Sequence, residues 1–339
     1  MHMTEGTVSE MTRQAQASRE PVIAILMAVY EPRMDWLKAQ LESLEKQTYP
    51  NLRLYIRDDC SPTVSLEALE ACVRDCVHAI PFELRRNEVN LGSNGTFERL
   101  TGEAEGDYFA YCDQDDIWLP QKLETLLAAA EREKALLACS DMFIIDGEGR
   151  QIAGSITQVR RHHVFKSGDG LAPQLLISNF AVGCAMLVRS DAAREARPFC
   201  PDMVHDHYLA LWCAENGRIV SLPDRLICYR IHGDNQTGLM AGVKDRQSYL
   251  EVKIRSRRRR LEWLRRRFEG HEALCGQIDR ALDWLRALEA YFRGEPGQIP
   301  TIWRHRDFGK LVSLFEIVGA RLPERFFMMA IGLNRRNII

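Results

Sequence analysis

One stretch constrains the fold of this chain more than any other, because a hydrophobic strand pattern in it ends abruptly in three carboxylates. Tyr108 to Cys112 is a short aromatic and apolar run, which is typical of a buried strand. Asp113, Asp115 and Asp116 follow it directly, and a helical pattern begins after Pro120. This order predicts an α/β unit with acids at the carboxyl end of a strand.

The aspartate cluster also predicts a cation site. Two carboxylates about 4 Å apart repel by roughly 4 kcal/mol when the effective dielectric is near 20, so three of them need a cation nearby. Asp113 and Asp115 point the same way if the chain is extended. One can then hold a divalent metal while the other binds a ribose hydroxyl or a metal-bound water. A polar loop with one Asp as helix N-cap is the alternative, and the number of acids favours the metal.

Strand and helix patterns alternate at short spacing before the aspartate cluster and after it. The apolar run from Pro21 to Val29 is long enough for a central parallel strand, and a strand pattern from Leu52 ends in Asp58 and Asp59. Such alternation predicts an α/β fold with a mainly parallel sheet and helices on both faces. Ligands bind beyond the carboxyl ends of such strands, so both acidic strand ends would face one crevice. Neither a GxGxxG nor a P-loop motif occurs.

The 339 residues are enough for one large domain with an appendage, or for two domains. We expect a disordered lead over residues 1–20, because this polar segment lacks the apolar core of a signal peptide. Residues 21–240 carry the strand and helix alternation, whereas residues 241–339 carry helical patterns. An α/β domain followed by a helical C-terminal region is therefore expected.

Composition bears on partners and compartment. The formal net charge of −2 gives no global attraction to nucleic acid. No apolar run reaches the length of about 18 residues that a membrane-spanning helix needs. The ten cysteines are scattered, mostly within apolar runs, as reduced core residues are. We expect a cytoplasmic protein that does not bind nucleic acid.

A series of motifs, in order over residues 21–238, resembles the family 2 glycosyltransferases of the GT-A fold. The matching pieces are Ala28 to Pro32, Leu44 to Pro50, Asp58 to Ser61, Asn90 to Gly92, Cys112 to Leu123, Gly183-Cys184, His205 to Tyr208 and Tyr229 to Asn235. Within the family, the aspartate cluster and the His-Asp pair before a helix are most similar to bacterial rhamnosyltransferase-type enzymes of surface polysaccharide assembly.

The resemblance implies an activity as well as a fold. The fold would be a GT-A type, Rossmann-like sheet with a helical C-terminal extension. The reaction would be an inverting, metal-dependent transfer of a sugar from a nucleoside diphosphate donor to a saccharide or lipid-linked saccharide acceptor, in bacterial surface polysaccharide or O-antigen biosynthesis. Rhamnose from dTDP-rhamnose is the expected donor sugar, and a UDP-hexose is the alternative.

The resemblance also implies roles for particular residues. Asp206 would be the general base. Asp113 and Asp115, with His232, would bind Mn²⁺ or Mg²⁺. The residues that would contact the nucleotide sugar are Val29, Tyr30, Glu31, Asp58, Asp59, Asn94, Asp113, Gly183 and His205.

The chemistry needs these residue types independently of the family. Departure of a nucleoside diphosphate builds negative charge, which a divalent ion held by carboxylates can neutralise. Inversion needs a base on the opposite face to take the proton of the acceptor hydroxyl. Asp206 suits that role, although it could instead cap a helix that begins at His207. Asp58 or Asp59 could likewise form a local turn with Ser61.

The chain departs from the family pattern after its first two strands. Glu31 stands where Asn is common, and Cys60 stands where Gly is usual. No Asp follows Ser61 and Pro62. These departures fall near the expected contact with the nucleobase. They leave the expected metal ligands and the expected general base unchanged.

A nucleotidyltransferase that makes a sugar nucleotide is the alternative from another enzyme class. It would share the acidic strand ends and the crevice. Such enzymes usually carry a glycine-rich, basic loop after the first strand, and the segment from Tyr30 to Arg33 is not one. A glycosyltransferase is therefore favoured.

The basic stretch from Arg255 to Arg267 has two interpretations. It can be a solvated helix face whose arginines pair with Glu251, Glu262 and Glu269. It can also dock to anionic lipid, with Phe326 to Met329 as an apolar foothold. A membrane-bound acceptor would make docking useful, so peripheral contact with the inner face of the membrane is a hypothesis.

Overall fold

The chain forms a nine-stranded mixed sheet with helices packed on both of its faces. The structure is a computed structural model and describes residues 20–160, 163–232 and 242–335. The predicted α/β fold with a mainly parallel sheet around its centre is confirmed. The lead predicted over residues 1–20 lies outside the described residues, apart from Glu20.

The elements of the described chain follow in order. The strands are β1 (Ile23–Val29), β2 (Leu52–Asp58), β3 (Phe82–Arg86), β4 (Tyr108–Cys112), β5 (Ile117–Trp118), β6 (Leu137–Ile145), β7 (Gln151–Ala153), β8 (Met186–Arg189) and β9 (Ile219–Arg230). The helices around the sheet are α1 (Met34–Glu45), α2 (Leu66–Cys76), α3 (Gly92–Glu103), α4 (Lys122–Glu133), α5 (Ile156–Val159), α6 (Ala172–Leu175), α7 (Ser190–Glu195) and α8 (His205–Asn216). The C-terminal helices are α9 (Arg246–Tyr249), which continues as a π-helix over Leu250–Arg255, α10 (Ser256–Arg267), α11 (Glu272–Phe292), α12 (Ile299–Arg304), α13 (Lys310–Gly319) and α14 (Glu324–Arg335).

The sheet topology places the ends of three parallel strands side by side. The strand order is β3-β2-β1-β4-β8-β6-β9-β5, with β7 paired to β6. β1 runs parallel to β2 and β4, with Val29 opposite Asp58 and Met27 opposite Cys112. β8 then joins β4 and β6 in antiparallel orientation. The acidic ends of β2 and β4 therefore lie on either side of β1 at the same edge of the sheet.

β1 is buried on both faces, which explains its uninterrupted apolar sequence. Ala24 and Leu26 pack into the core on one face, whereas Ile23, Ile25 and Met27 pack into the core on the other. The alternation follows from the two-residue period of a strand. Each large side chain buried in this way contributes roughly 1.5–3 kcal/mol, so β1 is the centre on which the sheet is built.

Two apolar segments near the C-terminal half of the sheet differ from what their sequence patterns predict. The run from Ala181 to Val188 has the pattern of a strand, but Gly183–Ala185 forms a 3-10 helix and only Met186–Arg189 is strand. The apolar helix pattern runs from Leu209 to Ala214, but the helix already begins at His205. Both segments are apolar because they are buried, and apolar runs alone do not distinguish a strand from a buried turn or helix.

The helices after residue 242 share a hydrophobic core with one face of the sheet. Leu261, Leu264 and Trp284 belong to the same buried cluster as Leu26 and Tyr208. The predicted helical C-terminal part is therefore confirmed. The boundary at residues 240 and 241 stays a prediction, because residues 233–241 lie outside the described chain.

Several arginines of the basic stretch form ion pairs or are buried within the protein. Arg258 pairs with Glu262 at 2.7 Å, and Arg259 pairs with Glu251 at 2.6 Å. Arg260 is buried. These contacts support intramolecular pairing along the helix face over docking of this stretch to lipid.

Two of the departures from the family pattern, Cys60 in the loop after β2 and Glu31 after Tyr30, have left-handed backbone conformations. Cys60 has φ of +63° and Glu31 has φ of +43°. This conformation costs a residue with a Cβ atom roughly 1–2 kcal/mol, and Gly and Asn adopt it most readily. Cys60 and Glu31 therefore stand where the residues usual in the family would be less strained.

We predict that Cys60→Gly raises the free energy of unfolding by about 1 kcal/mol, because the relief of left-handed strain outweighs the extra freedom of Gly in the unfolded chain. Urea unfolding would measure the change. Cys60→Ala keeps a Cβ atom and is the control, with no stabilisation expected. A Cys60→Gly variant no more stable than Cys60→Ala would contradict the prediction.

Candidate active site

The acidic loop after β4 is tied to the end of β1 by one side-chain amide. Gln114 donates from Nε2 to the Tyr30 carbonyl at 3.0 Å and accepts at Oε1 from the Tyr30 N–H at 2.8 Å. The chain bends at Gln114 and Asp115. The chain is therefore not extended between Asp113 and Asp115, which was the condition for these two side chains to point the same way.

Asp113 and Asp116 lie together with the thiol of Cys184. One ligand atom from each residue lies within 4.8 Å of the other two. Burial and the neighbouring carboxylates raise the pKa of Asp113 well above its usual range, and burial with the nearby charge of Asp115 raises the pKa of Asp116 to about 7. The carboxyls are thus held where a cation would stabilise their charged forms.

Lys122 is fully buried beside this cluster. Its Nζ donates to the Cys184 carbonyl at 2.5 Å and lies 2.9 Å from the centroid of the Trp118 ring. Burial lowers the pKa of Lys122 to about 7, although Asp113 and Asp116 act in the opposite direction. Lys122 therefore ties α4 to the turn before β8 and adds only part of a charge at neutral pH.

Asp115 pairs with a histidine at the end of β9. His232 Nε2 lies 2.7 Å from Asp115 Oδ2. The Trp36 ring packs against the His232 ring, with centroids 4.8 Å apart, and its Nε1 donates to the Gly147 carbonyl at 3.1 Å. Arg230 donates from Nε to the Asp115 carbonyl at 2.7 Å. Three distant segments thus position the Asp115 and His232 pair.

Asp206 lies in the first turn of α8. Its Oδ2 accepts from the Gly183 N–H at 3.0 Å and its Oδ1 from the His207 N–H at 2.5 Å. The N-cap residue is Val204, so the alternative in which Asp206 caps a helix beginning at His207 is wrong. Burial raises the pKa of Asp206 to about 6, although both backbone donors lower it. The charge of Asp206 in turn helps to raise the pKa of Asp113, so Asp206 lies near the acidic loop.

Gly183 and His205 fix the position of Asp206. The His205 ring packs on Phe97 and Tyr111, with centroid distances of 4.1 Å and 5.3 Å. Burial lowers the pKa of His205 to about 3, so the ring is neutral. A Cβ atom on Gly183 would lie 2.9 Å from His205 Nε2 and 3.3 Å from Asp206 Cβ. Glycine is therefore the residue that this contact admits.

Three residues predicted to line a nucleoside pocket meet at the ends of β1 and β2. The Val29 carbonyl accepts the Asp59 N–H at 2.7 Å. Asp59 Oδ1 accepts from Asn87 Nδ2 and from the Leu91 N–H, each at 2.8 Å. Tyr30 is 44% exposed. Asp59 is therefore buried and oriented by its own loop, while the Tyr30 side chain remains accessible at the edge of the sheet.

Asp58 and Glu31 are bound to neighbouring protein groups. Asp58 is fully buried, accepts from Ser61 Oγ at 2.5 Å and pairs with Arg86 at 2.5 Å. The local turn considered for Asp58 with Ser61 is therefore present. Glu31 accepts from the Thr63 N–H at 2.8 Å. Both carboxylates shape the loop after β2, and their direct contact with a nucleotide stays a prediction.

Asn94 lies in α3 with one polar atom unused. Its Nδ2 donates to the Cys200 carbonyl at 3.2 Å. Its Oδ1 is buried and has no hydrogen-bond partner in the described part of the chain. A contact of Asn94 with the donor stays a prediction.

The residues present fit a divalent cation. Asp116 Oδ1 accepts the Arg230 N–H at 2.9 Å, and its buried Oδ2 has no hydrogen-bond partner among the described residues. Carboxylate oxygens suit Mg²⁺ and Mn²⁺, whereas the Cys184 thiol, whose pKa burial raises well above its usual range, is a poor ligand for them. Asp113 groups with Asp116, while Asp115 pairs with His232.

Several residues that build the site were not assigned roles from the sequence. They are Gln114, Asp116, Lys122 and Arg230, which lie within the motifs that carry the resemblance, and Trp36, which lies outside them. The motifs were therefore a usable signal for the first four. Trp36 gave no signal beyond its place on an amphipathic helix.

The sheet order and the acidic strand ends define a nucleotide-sugar transferase of the GT-A class. The family model for glycosyl transferase family 2 matches residues 24–195, slightly more than half of the chain. The chain belongs to this family and is a glycosyltransferase that uses a nucleotide sugar. The predicted family is confirmed, and membership argues against the nucleotidyltransferase alternative.

Two bacterial relatives illustrate the similarity. An uncharacterised glycosyltransferase of Haemophilus influenzae is 24% identical over 240 residues, which cover 69% of this chain and 72% of that protein. The Escherichia coli UDP-Glc:alpha-D-GlcNAc-diphosphoundecaprenol beta-1,3-glucosyltransferase WfgD is 26% identical over 215 residues, which cover 62% of this chain and 77% of that protein.

A solved structure supports the fold. The crystal structure of residues 1–349 of S. aureus TarS in complex with UDP-GlcNAc matches with a TM-score of 0.56 and 15% identity, covering 81% of this chain and 88% of that chain. Likeness at this identity shows the GT-A fold. Among the described residues, none of the helices combines the length and the apolar character needed to cross a membrane.

We predict that Gly183→Ala lowers the free energy of unfolding by about 1–3 kcal/mol, because the added Cβ atom overpacks the contact with His205 and Asp206. Denaturant unfolding would measure the loss. Gly276→Ala is the matched control, since a Cβ atom there meets nothing within 4 Å inside α11. The control should be neutral or slightly stabilising. Equal stability of the two variants would refute the tight contact at Gly183.

Proposed function

We propose that this glycosyltransferase inverts the anomeric carbon of its donor sugar, with Asp206 as the general base and a divalent cation held by the acidic loop. One observation carries the proposal. Asp206, with a pKa raised to about 6, lies near a loop whose carboxyls are close enough to raise the pKa of Asp113. One carboxyl can therefore accept a proton while the others hold a cation.

Proton transfer and bond exchange follow from this arrangement. The acceptor hydroxyl loses its proton to Asp206 while its oxygen bonds to the anomeric carbon. The bond from that carbon to the diphosphate breaks, and its electron pair leaves with the phosphate oxygen. The N–H groups of Gly183 and His207 orient the Asp206 carboxylate during the step. Mn²⁺ or Mg²⁺, when bound, would neutralise charge on the departing diphosphate.

Roles of the remaining residues belong to the same proposal. Asp115, Asp113 and His232 would hold the cation, and Asp113 could instead bind the ribose. The other donor contacts would be shared among residues at the ends of β1 and β2 and around Asp206, namely Val29, Tyr30, Glu31, Asp58, Asp59, Asn94, Gly183 and His205. The buried ion pair of Asp58 with Arg86 and the hydrogen bond of Glu31 with Thr63 favour an indirect part for these two acids, through the shape of their loop.

The donor sugar has two candidates. The sequence resemblance favours rhamnose from dTDP-rhamnose. The name of WfgD, a UDP-Glc-dependent enzyme, and the UDP-GlcNAc bound to TarS favour a UDP-hexose. Release of nucleoside diphosphate from a panel of dTDP and UDP sugars, with and without Mn²⁺, would separate them. Absence of metal-dependent release from every donor would sink the proposal.

The acceptor is proposed to be a saccharide of a bacterial surface polysaccharide, carried on a lipid. Support comes from WfgD, whose name specifies a sugar linked to diphosphoundecaprenol. A lipid-linked acceptor is compatible with a cytoplasmic enzyme that works at the inner face of the membrane. Transfer to lipid-linked and to water-soluble acceptors, compared in one assay, would test this choice.

We expect kcat/KM to fall about tenfold per pH unit below an apparent pKa of about 6, because Asp206 must be ionised to accept the proton. Arg160 lowers the pKa of Asp206, and Asp113 is the neighbouring acid. The rate profile should be measured at saturating Mn²⁺, which keeps the acidic loop ionised. Asp206→Asn should abolish transfer across the whole range.

Stability provides the control for Asp206→Asn. The folded-state pKa of Asp206 is raised from about 3.8 to about 6, so its contribution to stability is present below pH 3.8 and is lost as the pH rises through 6. The variant should therefore be no less stable than the wild type at neutral pH. Transfer by Asp206→Asn at the wild-type rate would remove Asp206 from the mechanism.

We predict that Asp115→Asn loses Mn²⁺-dependent donor binding, whereas Asp206→Asn retains it. Removal of the Asp115 charge takes away a cation ligand, and donor affinity should fall by at least about tenfold. Calorimetric titration of the nucleoside diphosphate with and without Mn²⁺ would measure the effect. Asp75→Asn, an equal charge change on exposed α2, is the control. Unchanged Mn²⁺ dependence in Asp115→Asn would exclude the assigned ligand.

A further inference from the structure

The last helices of the described chain expose apolar side chains to solvent. Six of these side chains, all within residues 299–332 and each 41–61% exposed, are together called the C-terminal apolar surface. They are Trp303, Val312, Leu314, Val318, Phe326 and Met329. α13 and α14, which carry five of them, are joined by a short turn and pack together through Phe327, which is fully buried and lies 6.3 Å from the Phe315 ring. Each of the two helices therefore packs through some of its side chains and leaves other apolar side chains uncovered.

Five basic residues of the same stretch form no ion pair with any described residue. They are Arg304, Arg306, Lys310, Arg321 and Arg325, all of them exposed. Arg306 lies over the Trp303 ring at 5.2 Å, and Arg325 lies over the Phe326 ring at 4.6 Å. Cations thus lie directly beside the exposed aromatic rings.

The acidic side chains of residues 299–332 all have partners within the protein. Asp307 pairs with Arg280 at 2.7 Å, and Glu324 pairs with Arg246 at 3.7 Å. Glu316 is buried and accepts from Tyr249 Oη at 2.6 Å. The charge that residues 299–332 present to the outside is therefore positive, although the whole chain carries a formal charge of −2.

We infer that the C-terminal apolar surface docks on an anionic lipid bilayer. Amphipathic helices with exposed Trp, Phe and Leu beside Lys and Arg insert their apolar side chains at the level of the head groups, while the cations attract anionic lipids. Arg258 and Arg259 of the basic stretch pair with Glu262 and Glu251, which leaves that stretch less charge for lipid, so the lipid contact is assigned to a different part of the chain. The inference deepens the proposed function, since it brings the enzyme to a lipid-linked acceptor.

A second copy of the chain is a less suitable occupant. In a two-fold dimer the same patch meets itself, so the five cations of one copy would lie near the five of the other. Like charges brought together in this way oppose association. An anionic bilayer complements both the charge and the apolar side chains.

Vesicle sedimentation without any substrate would test the docking surface. The wild type should bind vesicles that contain phosphatidylglycerol and should not bind vesicles of phosphatidylcholine alone, with binding that weakens as salt is raised. Neutralisation of the five basic residues to Gln should lower the partition coefficient by about fivefold per residue. Leu314→Ser with Met329→Ser should lower it as well.

A control with the same change of charge separates this surface from a general effect. It carries Gln at five exposed basic residues outside the C-terminal region, namely Lys38, Lys46, Arg53, Arg132 and Lys134. This control should bind anionic vesicles as the wild type does. Equal binding by wild type and the C-terminal variant, equal loss in the control, or a dimer in light scattering that Leu314→Ser with Met329→Ser dissociates would each overturn the inference.

The vesicle result is independent of the proposed chemistry. Release of nucleoside diphosphate in solution, measured on the same variants, reports the active site alone and should be unchanged. Loss of vesicle binding with normal release would locate docking at the C-terminal apolar surface. Vesicle binding by a chain that releases no nucleoside diphosphate would support the surface and contradict the proposed function.

Discussion

Repulsion among carboxyls that lie close together is the constraint around which the site is built. Asp115, Asp116 and Asp206 each raise the pKa of Asp113, so the four groups share one region at the edge of the sheet. Protein groups hold the loop in this unfavourable arrangement. Gln114 ties it to β1 through two hydrogen bonds, and Arg230 binds the backbone of Asp115 and the carboxylate of Asp116. The rest of the fold, with β1 buried on both faces, provides the rigid frame that this loop needs.

The acids of this cluster lie in different environments, which suit them to different functions. Asp206 receives two backbone N–H groups at the start of a helix, where the helix dipole also favours negative charge, yet burial still raises its pKa to about 6. Burial and the other acids around Asp113 raise its pKa well above its usual range. A carboxyl near neutrality can exchange a proton, and carboxyls that need a counter-charge can hold a cation, so one cluster can supply both functions.

The sequence predicted the frame of the site better than its contacts. The uninterrupted apolar run from Pro21 to Val29 and the acids that follow two strand patterns, at Asp58 and after Cys112, were sufficient to predict the sheet and its functional edge. The contacts that position the acids could not be read in this way, because they join residues far apart in the chain. Gln114 binds Tyr30 and His232 binds Asp115, and neither pairing leaves a periodic signal. The start of α8 at His205 was missed because its apolar residues are buried and show no single helical face.

The role of the surface charges could be interpreted only from the structure. The arginines from Arg255 to Arg267 are the most conspicuous charges of the sequence, yet Arg258 and Arg259 pair with neighbouring acids, whereas five cations near the C-terminus form no ion pair with a described residue. The cation site at the acidic loop is the central claim, and a crystal structure with Mn²⁺ and a nucleoside diphosphate tests it most directly. We predict anomalous density for manganese bonded to the carboxylate of Asp115 and to the diphosphate. A pocket without manganese, or Asp113 and Asp115 turned out to solvent, would contradict the claim.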